Sequence, residues 1–288
     1  MTFPLSVLSG ATIADADLEG MTAAQVNAYG TLLPRHLAVY EFRTVTGNLS
    51  IDDVIRSQHF GGVVDNARPA TCIGDFDSFN ASDKGIRISY PTGAIGEEKV
   101  RLDDLFDLGH ADHGGDDTDV VVYVWLTEKV KAGANTHALV GYGYQTTVDA
   151  QWMFDFDGAG DNYRIRLIPD GGGTCTFNFG GITNNEPTLF AFHLKPVSTG
   201  SAFFKVDAYL NGVKVGEGDT TPAWPLNDLS AVSWLGNPPY PIIGRRGGYN
   251  VGHEVVIHTV GLARITEHDD VAAFLAAEYA LNATALAA

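Results

Sequence analysis

A chain of 288 residues, 45% of them hydrophobic, has room for one large or two small domains, and all-β sandwiches reach this size as a single unit around one core. Its 35 acidic residues against 18 basic ones leave a formal charge of −17, which excludes nucleic acid and anionic membrane as natural partners. The 33 glycines imply many tight turns, and no apolar run approaches the roughly 20 residues that a bilayer span takes, so membrane insertion is not expected.

Residues 1–40 read as an arm. They are Ala-rich, and Thr22 caps a short helix from Ala23 whose Val26, Tyr29 and Leu33 recur at helical spacing until Pro34 stops it. No basic residue precedes Arg35, so the positive n-region of a secretory signal peptide is absent and none is expected. From Val39 to about Ile95, strand-like pieces (LAVYEFRTV, KGIRISYP) alternate with polar, Gly-containing connections. The loop GHADHGGDDTD at 109–119 carries His110, Asp112, His113, Asp116, Asp117 and Asp119, ligand types that suit a transition metal or calcium. Its glycines Gly109, Gly114 and Gly115 leave it without preorganisation, and it reads as a polar surface loop. The run VVVYVWL at 120–126 is apolar at every position, which predicts a central strand buried on both faces.

Two hairpins follow. In QWMFDFDGAGDNYRIRL, a loop at Gly158–Asp161 places Phe156 opposite Tyr163, Phe154 opposite Ile165 and Trp152 opposite Leu167 on the core side, with Asp155 opposite Arg164 on the outer side. No cofactor is expected; Asp155, Asp157 and Asp161 are the residues to consider for calcium, against the Asp155–Arg164 pairing of a structural hairpin, which the pattern favours. An EF-hand is excluded because Ala159 stands where an acidic ligand is needed and Arg166 where the bidentate Glu belongs. In FFKVDAYLNGVKVGEG, Asn211-Gly212 predicts a two-residue type I′ turn. Regular pairing from that turn sets Leu210 against Val213 and Ala208 against Val215. Phe204, Val206, Ala208, Leu210, Val213 and Val215 then share the core face, and Lys205, Asp207, Tyr209 and Lys214 share a wet one.

The Pro/Gly-rich loops at 222–250 hold Trp224, Trp234, Tyr240 and Tyr249, whose ring faces suit stacking on a pyranose or covering the end of a sandwich. Arg245-Arg246 beside Gly247-Gly248 suits an anion or a neighbouring acidic subunit, or simply a solvated turn. A terminal helix opens at Thr266, with Glu267, Asp269 and Asp270 favourably placed at its positive end and Val271, Phe274, Leu275 and Tyr279 forming its apolar stripe. The widely separated Cys72 and Cys175 read as reduced, buried thiols, consistent with synthesis in a reducing cytoplasm.

Four stretches in order carry a family resemblance: PTLFAFHLKP followed by a strand ending Tyr209-Leu210-Asn211-Gly212, then PIIGRRGG at 241–248, EVVIHTVGLARI at 254–265 and HDDVAAFLAAEYA at 268–280. From Val120 to Ala280 the chain resembles the concanavalin A-like, or laminin-G-like, jelly-roll domains found in tailed-bacteriophage virion proteins. The resemblance implies an all-β, two-sheet antiparallel jelly-roll sandwich over residues 41–265, preceded by the N-terminal helical arm at 1–40 and closed by a C-terminal helix at 266–288. It also implies a non-catalytic structural virion protein, as head decoration, neck, tail or spike component, that associates with other virion subunits, forms homo-oligomers and assembles in the host cytoplasm.

A lectin-like adhesion module recognising host surface glycans is the alternative, with Trp224, Trp234, Tyr240 and Tyr249 as its contacts. Enzymatic function is not expected. Glycosidases of this fold resemble one another in an E-x-D-x-x-E strand, whereas the nearest acidic strand here reads EVVIH from Glu254. The chain also contains no G-x-S-x-G, H-E-x-x-H or G-x-x-x-x-G-K, so no catalytic residue is assigned.

Overall fold

The computed structural model describes residues 36–44, 49–59, 63–73, 84–90, 98–108, 119–131, 136–143, 150–157, 162–169, 174–180, 182–196, 204–219, 226, 229, 240–244, 253–265 and 270–287. These form two antiparallel sheets and one C-terminal helix, the expected all-β sandwich. The first sheet runs in the order β1 (His36–Glu41), β15 (His253–Ile265), β6 (Asp119–Val130), β11 (Pro187–Pro196), β12 (Phe204–Leu210) and β13 (Val213–Asp219), with β4 (Ile86–Tyr90) also paired to β15. The second runs β10 (Cys175–Phe179), β9 (Asn162–Leu167), β8 (Ala150–Asp157), β7 (Thr136–Gly143), β14 (Pro241–Gly244), β5 (Glu98–Arg101), β3 (Val63–Cys72) and β2 (Val54–His59). Strand β1 thus begins inside the stretch read as an arm, while the short helix from Ala23 lies outside the described residues.

The unbroken apolar run of β6 has a direct cause. Val120, Val122, Val124 and Leu126 enter the core between the sheets, whereas Val121, Tyr123 and Trp125 point the other way, beneath helix α1 (Val271–Ala287). Both faces of the strand are therefore dry, as predicted. On the second sheet, Phe156, Phe154 and Trp152 stand opposite Tyr163, Ile165 and Leu167, the expected register. Their rings meet the first sheet, with Phe154 and Phe192 centroids 5.6 Å apart and Tyr163 and Phe190 5.4 Å apart. The Trp152 indole donates to the Phe106 carbonyl at 2.8 Å, which satisfies its N–H inside the core.

Helix α1 starts later than its acidic run suggested. Asp270 caps it: its carboxylate accepts from the Ala273 N–H at 3.0 Å, and its carbonyl accepts from Phe274 N–H at 2.9 Å. Thr266, the expected start, lies outside the described residues. Val271, Phe274 and Leu275 are buried against the first sheet, and Tyr279 stacks on Trp125 at 5.7 Å. A buried carboxylate completes this layer, since Glu278 accepts from the Trp125 indole at 3.0 Å and from the Asn282 amide at 2.7 Å. Among the described residues no helix is long and apolar enough to cross a membrane.

The β12–β13 hairpin turns where expected, with Asn211 at φ 51° and Gly212 at φ 80°. Asn211 also ties the turn to β11, its N–H donating to the Leu189 carbonyl at 2.8 Å and its side-chain oxygen accepting from Leu189 N–H at 3.0 Å. Beyond the turn the pairing differs from the regular one. Ala208 stands opposite Gly216 instead of Val215, because a β-bulge adds one residue to β13. Val213 and Val215, expected in the core, are 65% and 52% exposed. Their place is taken by Gly216 and Gly218, where a Cβ would lie 2.9 Å from the Phe177 ring and 2.9 Å from Cys175 Sγ. The sheets approach too closely at this edge for a valine. Tyr209, expected on the wet face, is buried beneath α1.

Candidate functional site: a charged groove on the first sheet

The site follows from strand parity and the bulge. On the outer face of the first sheet, Leu189, Ala191 and Tyr209 lie under α1, whereas Lys195 and Lys205, directly opposite each other on β11 and β12, lie beyond its cover. Asp207 sits opposite Glu217, and Tyr209 opposite Lys214. Residues 214 and 217 are three apart and would point to opposite faces of a regular strand. The bulge between them brings both to the outer face. The result is an open groove of about 430 Å³ lined by Lys195, Lys205, Asp207, Glu217 and the backbone of Gly218.

Asp207 is the hub. Its carboxylate accepts from Lys195 Nζ at 2.6 Å and Lys214 Nζ at 2.8 Å, and Lys214 reaches on to Glu217 at 3.0 Å. Burial alone would push the Asp207 carboxyl up, but the hydrogen bonds and charges of Lys195 and Lys214 outweigh it and hold the group below the usual carboxylate range. The hydrogen bonds to Asp207 and Glu217 hold the Lys214 ammonium above its ordinary value. Asp207 and Lys214 therefore stay charged near neutral pH, and the ion pairs set acceptors and donors about 3 Å apart. That pattern suits the hydroxyls of a polyol. It is poorly suited to proton transfer, since a general acid needs a raised pKa and Asp207 has a depressed one.

A second polar cluster is closed to ligands. Tyr163 donates to Glu128 Oε2 at 2.5 Å, and His253 Nε2 lies 3.2 Å from the same oxygen and 3.1 Å from the Tyr163 hydroxyl. All three are buried, His253 stacks on Phe156 at 4.4 Å, and Glu128 Oε1 has no partner among the described residues. The trio ties β6 and β15 to β9 of the facing sheet, and no substrate reaches it.

The residues singled out from the sequence fall elsewhere. Asp155 stands opposite Arg164, as expected, and is fully buried. Arg164 donates to Asp155 at 2.8 Å and to Asp157 at 2.7 Å, and Arg166 also pairs with Asp155. Both carboxylates are thus engaged by guanidinium groups, and Asp161 lies outside the described residues. Of the aromatic set, Tyr240 is half-buried with the Arg101 guanidinium 4.9 Å from its ring centre, while Trp224, Trp234 and Tyr249 lie outside the described residues. So do Arg245 and Arg246, and all of the 109–119 loop except Asp119, whose carboxylate meets His193 Nε2 at 3.2 Å. Neither Cys72 nor Cys175 forms a disulfide; Cys72 is buried, as expected, and Cys175, expected buried, is half-buried.

No protein-family model and no curated protein matches the sequence. Solved structures do match. The botulinum neurotoxin serotype D ligand-binding domain, in complex with N-acetylneuraminic acid, aligns at TM-score 0.52 and 9% identity over 88% of this chain and 52% of that one. An HCR/D mutant aligns at 0.55 and 8% identity over 87% and 53%. A Trypanosoma rangeli sialidase in complex with a difluoro-nononic acid aligns at 0.47 and 10% identity over 88% and 33%. The chain spans about half the length of the first two. At these identities the first two speak to the fold alone, a jelly-roll-like sandwich.

Proposed function

We propose that this chain is a non-catalytic, lectin-like carbohydrate-binding module whose recognition site is the groove on β11, β12 and β13. One observation carries the reading: an open groove of about 430 Å³ in which Asp207, fixed by two lysines, presents charged acceptors beside charged donors. Sugar hydroxyls need this kind of mixed, preorganised lining, and the groove's size suits a mono- or disaccharide. The fold likeness to a neurotoxin domain solved with N-acetylneuraminic acid supports the same class of ligand. The depressed Asp207 carboxyl favours binding over bond cleavage. The role expected from the sequence resemblance, assembly with other virion subunits, rests on that resemblance alone; on a particle, a module of this kind would serve adhesion to host glycans.

The test is a glycan array with the intact chain and with Asp207→Asn, which keeps the shape but removes the charge that orients Lys195 and Lys214. Retained glycans should lose at least tenfold in affinity in the variant. A blank array for the intact chain, or equal binding by the variant, would overturn the assignment.

A further inference from the structure

We infer that the open edge of β13 pairs with the same edge of a second copy, in a two-fold dimer whose register sets Lys214 opposite the partner's Glu217. β13 ends the first sheet, and among the described residues no strand pairs with its far side. Val213 and Val215 on that strand are 65% and 52% exposed. A free strand edge offers unpaired N–H and C=O groups, and a bulge, glycines and a lysine ordinarily keep it from pairing. Here those same features fall in an order that complements itself.

Pairing with β12 puts Lys214, Glu217 and Asp219 on the outer face and Val213, Gly216 and Gly218 on the core face, with Val215 added by the bulge. A two-residue turn makes Leu210 and Val213 a hydrogen-bonded pair, so the backbone groups that turn to the open edge are those of Lys214 before the bulge and Glu217 after it. Setting VKVGEG antiparallel to itself with these groups opposed brings Lys214 against the partner's Glu217 on both sides of the axis. Val213 and Val215 then stand against the partner's Gly218 and Gly216. Opposed residues share a face, opposed charges differ in sign, and each exposed valine meets a glycine. A shift of one residue would set core-face against outer-face positions. Gly216 and Gly218 lie over Phe177 and Cys175, both half-buried, and the partner's Val213 covers them.

The two-fold axis stands perpendicular to the sheet, so both grooves open on the same side and, on the lectin reading, engage one glycan-bearing surface together. One strand pair buries less than the about 1,200 Å² of stable complexes. The dimer therefore belongs to concentrations of roughly tens to hundreds of micromolar, and the chain is a monomer at the low-micromolar concentrations of an unfolding experiment.

The experiment is sedimentation equilibrium of the intact chain without saccharide, in about 0.15 M salt to screen the −17 charge of each copy. The mass should climb from one chain toward two between about 5 and 500 µM and stop there. Lys214→Glu and Glu217→Lys should each weaken the dimer at least about fivefold, and the two changes combined, which restore opposite charges across the axis, should return it to within about twofold of the parent. Glu217 is 79% exposed, so Glu217→Lys reads the register without the loss of the Asp207 bond that Lys214→Glu entails. A constant one-chain mass, a mass beyond two chains, or charge variants that dimerise like the parent would overturn the inference. A blank glycan array leaves the dimer standing, and a monomer that binds its glycan in full leaves the lectin reading standing.

Discussion

Replacing Tyr163 by Phe isolates what the buried polar trio contributes. The phenol hydroxyl donates to Glu128 Oε2 at 2.5 Å and lies 3.1 Å from His253, and all three residues are buried. Phenylalanine keeps the ring contacts to Phe156 at 5.1 Å and Phe190 at 5.4 Å, so the change removes one oxygen and leaves almost no cavity. What is lost is a hydrogen bond onto a carboxyl group whose other oxygen already has no partner among the described residues. Removing one partner of a buried group costs about 1–3 kcal/mol, and the low local dielectric favours the middle or upper part of that range. For a chain of this size, a loss of about 2 kcal/mol corresponds to a fall of roughly 3 °C in Tm. Thermal unfolding followed by tryptophan fluorescence, with urea titration to check an unchanged m-value, measures it directly. A Tm within 1 °C of the parent, or above it, would refute the claim that the Tyr163 hydroxyl supports Glu128.

Three further outcomes are expected. Val215→Asp should shift urea stability by no more than about 0.5 kcal/mol, because the bulge leaves Val215 on the surface; a loss of several kcal/mol would restore the regular register with Val215 in the core. The Cys72 thiol is pushed up to about 12 by burial and by the Asp53 charge, so a disulfide reagent at pH 8 should leave it unmodified in the native chain and label it after unfolding; rapid native labelling mapped by mass spectrometry would contradict this. Asp207 is held below its ordinary range, so its contribution to stability is present above the unfolded-chain value and fades as pH falls through the lower folded value. Asp207→Asn should therefore lower stability at pH 7 and converge on the parent in strong acid, and a parallel offset at both pH values would contradict the assigned ion pairs.

Local features were legible in the sequence where two neighbouring segments define each other. Asn211-Gly212 fixes its turn, the β8–β9 register follows from a short loop, and the two-faced burial of β6 shows as an unbroken apolar run. The bulge was not legible, because Val213 and Val215 keep the alternation that a regular strand shows. Gly216 and Gly218 were the available signal, two glycines two apart on a strand where the Phe177 ring and the Cys175 thiol of the facing β10 come close. The groove was half legible. Lys205, Asp207 and Lys214 fell on one face from parity alone, but Lys195 joins them only through the β11–β12 register, which sequence spacing does not set. The aromatic loops carry the more conspicuous sugar-binding pattern in the sequence, while Tyr240, the described member of that set, carries Arg101 over its ring.

The central claim concerns where a sugar sits, and amide chemical-shift mapping during titration of the labelled chain with 3′-sialyllactose tests it most directly. The account predicts saturable shifts concentrated at Lys195, Lys205, Asp207, Glu217 and Gly218. Saturable shifts confined to the loops at 222–250, with the β11–β13 amides unmoved, would contradict it.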